Sequence, residues 1–160
     1  MTFSGSMVAT TLDLLPNTVT DEELLAGNGT LGPFTFRKLR TDALSPQPSE
    51  TCSGPDRLDF PVVAGAGVFR FRDGSLLTVT VTEGDLCLDF MAQVAHLTES
   101  YEITGGTGRF ERASGTLTLT GTVKAVLIVS GRAPFLTNTG EFEGTVSGAA
   151  IDEERQDERR

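Results

Sequence analysis

The sequence predicts an all-β domain, namely a closed eight-stranded antiparallel β-barrel with short turns and little helix. Three observations lead there. Apolar and polar residues alternate with period two along most of the chain. No stretch of useful length sustains the 3.6-residue period of an amphipathic helix, and 18 glycines are spread without a collagen-like repeat. Frequent glycines mean frequent turns, and hence many short strands. Such a chain must close on itself or stack into two sheets, because open strand edges invite aggregation.

Taken in order, Phe3 to Leu12 reads as the first strand. Pro16 to Leu25 reads as a loop holding one helical turn, with Thr20 as the N-cap before Asp21-Glu22-Glu23. Thr30 to Leu39 is a strand that carries Phe34 and Phe36 on one face, and Thr41 to Pro55, rich in proline and serine, is a long loop. Asp73-Gly74 joins Val68–Arg72 to Ser75–Val81 and suits the positive φ angles of a type I′ hairpin. Glu83-Gly84 then reads as a turn into Asp85–Phe90, where Leu86, Leu88 and Phe90 alternate inward. Ala95 to Thr104 follows, with Leu97, Glu99, Tyr101 and Ile103 on one side. In Thr116 to Ile128, Leu117, Leu119, Gly121, Val123, Ala125 and Leu127 oppose a face of threonines and Lys124. Glu141 to Ser147 closes the domain. Residues 1–150 are thus expected to form one barrel, and 151–160, dense in both charges, a disordered tail.

Charge narrows the partners. The net charge is −9, the only lysines are Lys38 and Lys124, and the arginines are scattered. A groove that tracks phosphates needs clustered cations, so nucleic acid is not an expected partner. No window approaches the ~20 apolar residues of a spanning helix, so no membrane span is expected. Met1–Ser6 lacks the basic and apolar regions of a secretory signal, which leaves the compartment open between cytoplasm and, after removal of a signal, secretion. Cys52 lies in a loop and Cys87 in an apolar strand, neither in a CxxC nor a histidine-rich context. Zinc is therefore not expected, while one disulfide and two free thiols both stay open. No metal and no cofactor is implied.

The most distinctive run is Ile103 to Gly115. A glycine-rich run invites a phosphate-loop reading, but no Gly-Lys-Ser/Thr follows, and the next segment is a strand rather than a helix. Gly105, Gly106, Thr107, Gly108, Phe110, Ala113 and Gly115 match position by position the Gly-Gly-Thr-Gly-x-Phe-x-x-Ala-x-Gly signature of the allene oxide cyclase and dirigent barrel superfamily. Phe142–Gly148 resembles the family's closing strand. Leu31-Gly32-Pro33-Phe34-Thr35 is similar to a Leu-Gly-Arg-Phe-Thr run of its bacterial members, with Pro33 in place of the arginine. The resemblance covers roughly the last third of the chain. It implies a barrel whose apolar cavity holds a reactive molecule in one shape, and oligomers among the plant relatives. No catalytic residue of the family maps onto this sequence.

Candidate site residues come from the faces of the strands. Glu99 and Tyr101, inward with Leu97 and Ile103, are the candidate catalytic pair, since a carboxylate in apolar surroundings can exchange a proton with a phenol beside it. A one-residue slip would turn both outward. Phe34, Phe36, Leu117, Leu119, Val123 and Phe142 are the candidate cavity lining, and Arg37 is a candidate to hold a ligand carboxylate. Arg70, Arg72 and Arg109 suit the same role but read more simply as solvated charges. His96 is the only histidine, it falls on the more polar face, and no Gly-x-Ser-x-Gly elbow exists, so a nucleophilic triad is not expected. The leading expectation is a barrel that binds a small apolar molecule, a cofactor-free cyclase or isomerase that steers its substrate's conformation. The rival is a structural or interaction protein, its barrel filled by side chains and its outer face, with Val126 and Ile128, sealing a homo-oligomer.

Overall fold

Eight antiparallel strands hydrogen-bond in sequence order into a closed ring in the computed structural model, which describes residues 1–9, 15–127 and 135–150. They are β1 (Thr2–Ala9), β2 (Thr18–Asn28), β3 (Phe34–Ala43), β4 (Arg57–Phe71), β5 (Leu76–Asp89), β6 (Val94–Gly106), β7 (Ser114–Leu127) and β8 (Phe135–Ser147). The ring closes through β1 against β8, so each of the eight strands has a neighbour on both sides. The charged tail and Ile128 lie outside the described residues.

The strands differ from the sequence expectation in compensating ways. Pro16 to Leu25 is not a helical turn, because β2 starts at Thr18, pairs with β3 from there and with β1 from Asp21 onward. Glu83-Gly84 is not a turn, because β5 runs through it and its register with β6 merely shifts between Val81 and Glu83. A glycine inside a strand commonly marks such a bulge. β4 is longer than expected, since Pro61 and the Gly65-Ala66-Gly67 run break its apolar alternation without breaking the strand. One strand gained and two merged leave the total unchanged.

The Asp73-Gly74 hairpin is present with a different turn. Gly74 N donates to Phe71 O and Phe71 N donates to Ser75 O, both at 3.0 Å. Gly74 has φ +83°, whereas Asp73 is not among the positive-φ residues. This is a type I turn followed by a left-handed glycine, not a type I′ turn. The glycine-rich run forms the β6–β7 corner, where one 3₁₀ turn, Gly108–Phe110, swings the wholly buried Phe110 onto the core. Gly108 has φ +60°, and a Cβ there would sit 2.5 Å from Ser75 Oγ, so both backbone and space demand glycine.

The barrel interior divides along its axis. The end bounded by loops 29–33, 72–75 and 107–113 is filled with aromatic rings. Phe36 stacks on Phe69 at 4.1 Å between centroids, Phe142 meets Phe36 edge-on at 5.2 Å, and Phe71 packs on Phe110 at 4.7 Å. Leu25, Leu97, Leu117 and Leu119 complete that core. The other end bears a small second apolar cluster of Ala95 and Val123, packed with Leu86, Leu88 and Leu136. Phe90 has left the inward face and is exposed, because β5 ends at Asp89. On the outer wall, Cys52 and Cys87 form a disulfide that ties the 44–56 loop to β5.

Candidate functional site

Between the two apolar clusters lies a network of charges. The alternation that points Phe34 and Phe36 inward continues along β3 and buries Lys38, Arg40 and Asp42 on the same face. In β2, Asp21 and Glu23 precede Leu25 on the inward face. The β2–β3 register then sets Asp21 opposite Arg40, Glu23 opposite Lys38, and Leu25 opposite Phe36. Opposite charges thus meet as direct cross-strand pairs. The side chains of Glu23, Lys38, Arg40 and Glu99 all have 0% exposure.

Arg40 is the hub at the outer edge of the network. Its Nε donates to Asp42 Oδ2 at 3.0 Å, its Nη1 to Glu23 Oε1 at 3.1 Å and its Nη2 to Asp21 Oδ2 at 3.2 Å. Lys38 reaches across the barrel to β6, where Nζ donates to Glu99 Oε2 and lies 3.3 Å from the Tyr101 hydroxyl. It also faces Glu23 Oε1 at 3.5 Å. The Tyr101 hydroxyl donates to Glu99 Oε2. From β8, Asn138 Nδ2 donates to Glu23 Oε2 at 3.0 Å. The network therefore ties β2, β3, β6 and β8 together through the interior.

Glycines make the room for these long side chains. Gly67 and Gly65 are the β4 partners of Lys38 and Arg40, and Gly84 is the β5 partner of Glu99. A Cβ on Gly84 would stand 3.0 Å from Glu99 Cγ, and one on Gly121 would stand 2.8 Å from Asn138 Oδ1. Neighbours without side chains are what let charged groups replace apolar filling at this level of the barrel.

The electrostatics follow from burial and from the count of charges. Four carboxylates face two cations, a formal excess of two negative charges. Burial pushes the Asp42 carboxyl up to about 6, with Asp21 adding to the effect and Arg40 only partly offsetting it. Burial likewise raises Asp21 above the usual carboxylate range. Burial also opposes ionisation of Glu99, but Lys38 and Arg40 together with two hydrogen bonds outweigh it and hold that carboxyl below its ordinary value. Tyr101 is pushed well above the usual phenol value by burial first and by the Glu99 charge second, so it stays a donor. The excess negative charge thus weighs on Asp21 and Asp42, while Glu99 remains ionised with a neutral phenol bound to it.

The two candidate catalytic residues are brought together inside the barrel, as the alternation of their strand implied. Phe34, Phe36, Leu117, Leu119 and Phe142 share the aromatic core, and Val123 sits apart in the second cluster. Tyr101 rests on the first group, with its ring 6.0 Å from Phe36 and 6.2 Å from Phe142. Arg37 does not join them. It lies one residue out of phase with the inward face, 73% exposed and paired with Glu22 on the outer wall. Arg70, Arg72 and His96 are exposed as well, and Arg109 covers the rings of Phe71 and Phe110 at the aromatic end. Asp21, Glu23, Lys38, Arg40, Asp42 and Asn138 were not singled out in the sequence, although their period-two spacing was there to be seen.

No known protein family's sequence profile matches the chain, and no characterised protein matches it by sequence.

Proposed function

We propose that this barrel binds a small molecule at its charged level and acts on it as a cofactor-free cyclase or isomerase of the allene oxide cyclase and dirigent type. Glu99 and Tyr101 serve as the acid–base pair. Lys38 and Arg40 hold Glu99 ionised, and Phe36 and Phe142 supply an apolar floor. The observation that supports this reading is the wholly buried contact among Lys38, Glu99 and Tyr101. Burying ions is costly, and replacing a buried ion network with apolar residues is often neutral or stabilising. Perturbed carboxylates gathered in one interior are therefore more readily understood as functional groups than as a source of stability. The Gly105–Gly115 corner and its likeness to that superfamily point the same way.

A second reading has its own support. Phe34, Phe36 and Phe142, which the sequence places along a cavity, pack directly on one another, and Leu24, Leu39 and Val68 are exposed on the adjoining outer faces of β2, β3 and β4. A barrel filled by side chains and assembled through that wall would be a structural or interaction protein. Native mass spectrometry of freshly purified protein, followed by extraction of whatever small molecule is released, separates the two. A co-purifying compound lost in Glu99→Gln supports the first reading. An empty protein of defined oligomeric mass supports the second.

A further inference from the structure

The charged level is short of hydrogen-bond donors, and this deepens the reading just proposed, on which it rests. Asp21 Oδ1, Asp42 Oδ1, Glu99 Oε1 and Asn138 Oδ1 are buried without a hydrogen-bond partner, and all four are acceptors from four different strands. The donors around them are already committed. Arg40 serves Asp21, Glu23 and Asp42 and reaches Glu99 Oε1 only as an ion pair at 3.8 Å, Lys38 serves Glu99 and Tyr101, and the Tyr101 hydroxyl serves Glu99. Buried polar atoms normally find partners, so a concentration of unmet acceptors identifies what is to be supplied.

Asn138 makes the argument independent of charge. Its amide is neutral and wholly buried, with its nitrogen engaged by Glu23 and its oxygen unmet. Flipping the amide would set oxygen against the Glu23 carboxylate, so the orientation is fixed by its neighbour. A proton on Asp21 or Asp42 would supply one donor each but leaves Glu99 and Asn138 as they are. We infer that the guest of this site carries an ammonium group, with hydroxyl or further N–H donors where it has them, on a small apolar body. An ammonium offers the donors and also offsets the formal excess of negative charge. A carboxylate would meet acceptors and like charge. Arg37, the residue that suited a carboxylate, faces the other way. Among the described residues no three ligating side chains gather to hold a metal ion.

The test is a protein-observed ¹H–¹⁵N NMR titration with three probes of one skeleton, benzylamine, benzyl alcohol and benzoate, at neutral pH and physiological salt. Benzylamine is expected to shift the amides of Asp42, Glu99 and Asn138 and to bind at least ten-fold more tightly than benzyl alcohol, with benzoate without effect there. Asp42→Asn is expected to weaken benzylamine at least ten-fold. The comparison among probes on the unaltered protein needs no variant to fold. Equal or tighter binding of benzoate or benzyl alcohol at the same amides would leave the site standing and overturn the ammonium assignment. Silence of those amides towards all three probes would overturn both the assignment and the reading of this level as a binding site.

Discussion

Lys38→Met tests how the interior is held together. Lys38 links Glu23 on one wall to Glu99 on the other, as Arg40 also does at 3.1 and 3.8 Å, and its side chain has no exposed surface. Removing it leaves Arg40 alone against four carboxylates. Breaking a buried ion pair from one side costs about 3–5 kcal/mol, because the abandoned charge remains in place without compensation. For a chain of this size each kcal/mol is worth about 2–4 °C in Tm, so a fall on the order of 10 °C is expected. The double variant Lys38→Met/Glu99→Leu removes one charge of each sign and leaves the formal excess as it was. Its main remaining cost is the Tyr101 hydroxyl left without its acceptor, roughly 1–3 kcal/mol. The double variant should therefore be more stable than Lys38→Met alone. The assay is urea unfolding at pH 7.5 on the wild type, both single variants and the double. The slopes should be unchanged, so that midpoints report stability. At pH 5, where Asp42 is largely protonated, the cost of Lys38→Met should shrink, since part of the repulsion it exposes has been removed. A single-variant cost below about 1 kcal/mol, or costs that simply add in the double, would refute the premise that these charges form one coupled unit.

Three further outcomes follow from the same geometry. Replacing both cysteines by alanine opens a loop of sequence separation 35 and should cost about 4 kcal/mol on the chain-entropy account, read as a lower Tm with the far-ultraviolet β signature retained. Asp42 has its carboxyl raised from 3.8 to about 6, so the folded state binds its proton more tightly than the unfolded state does. Its contribution to stability is full below about pH 4 and is lost as pH rises through 6, on the order of 2–3 kcal/mol. Asp42→Asn should therefore stabilise the protein at pH 7.5 and flatten that part of its stability–pH profile, and a profile identical to wild type would count against the burial argument. Arg37→Ala should change stability by no more than about 0.5 kcal/mol, because its pair with Glu22 is exposed to solvent and to salt. A larger loss in thermal unfolding would mean that the outer wall is doing more than the contacts at Arg37 account for.

The barrel was legible in the sequence wherever the inward face was apolar. Leu117, Leu119 and Val123 in β7, and Leu97, Tyr101 and Ile103 in β6, declared their faces by simple alternation, and Glu99 was carried inward by its neighbours. β2 was hidden for the opposite reason. Thr20-Asp21-Glu22-Glu23 has the composition of a helix start, and nothing local says that Asp21 and Glu23 point into a protein. Only the partner strand says it, because Arg40 and Lys38 stand directly across. The same holds for β3, where Phe34, Phe36, Lys38, Arg40 and Asp42 keep one unbroken period. The expectation that charges face water ends the apolar face at Phe36. Gly65-Ala66-Gly67 carried a related signal. Gly67 leaves space for the Phe36 ring and the base of Lys38, and Gly65 leaves space for Val81. Buried charge is thus a pairwise property of two strands, and a reading that takes one strand at a time cannot find it.

The division of the interior also bears on how the fold tolerates its site. The aromatic end holds the apolar contacts on which the barrel depends, and truncating one fully buried ring there, such as Phe36, removes about 3–5 kcal/mol. The charged level adds hydrogen bonds but must meet the desolvation of six ionisable groups. Had the charges been scattered through the core, each would have interrupted the packing of several rings. Gathered at one level and bounded by Gly65, Gly67, Gly84 and Gly121, they displace few apolar contacts and compensate one another across the barrel. Tyr101 is the joint between the two regions. Its ring packs on Phe36 and Phe142 while its hydroxyl is held by Glu99. A guest bound at Glu99 would therefore meet a hydroxyl whose ring is held in place by packing on Phe36 and Phe142, the kind of preorganisation that the proposed acid–base chemistry requires.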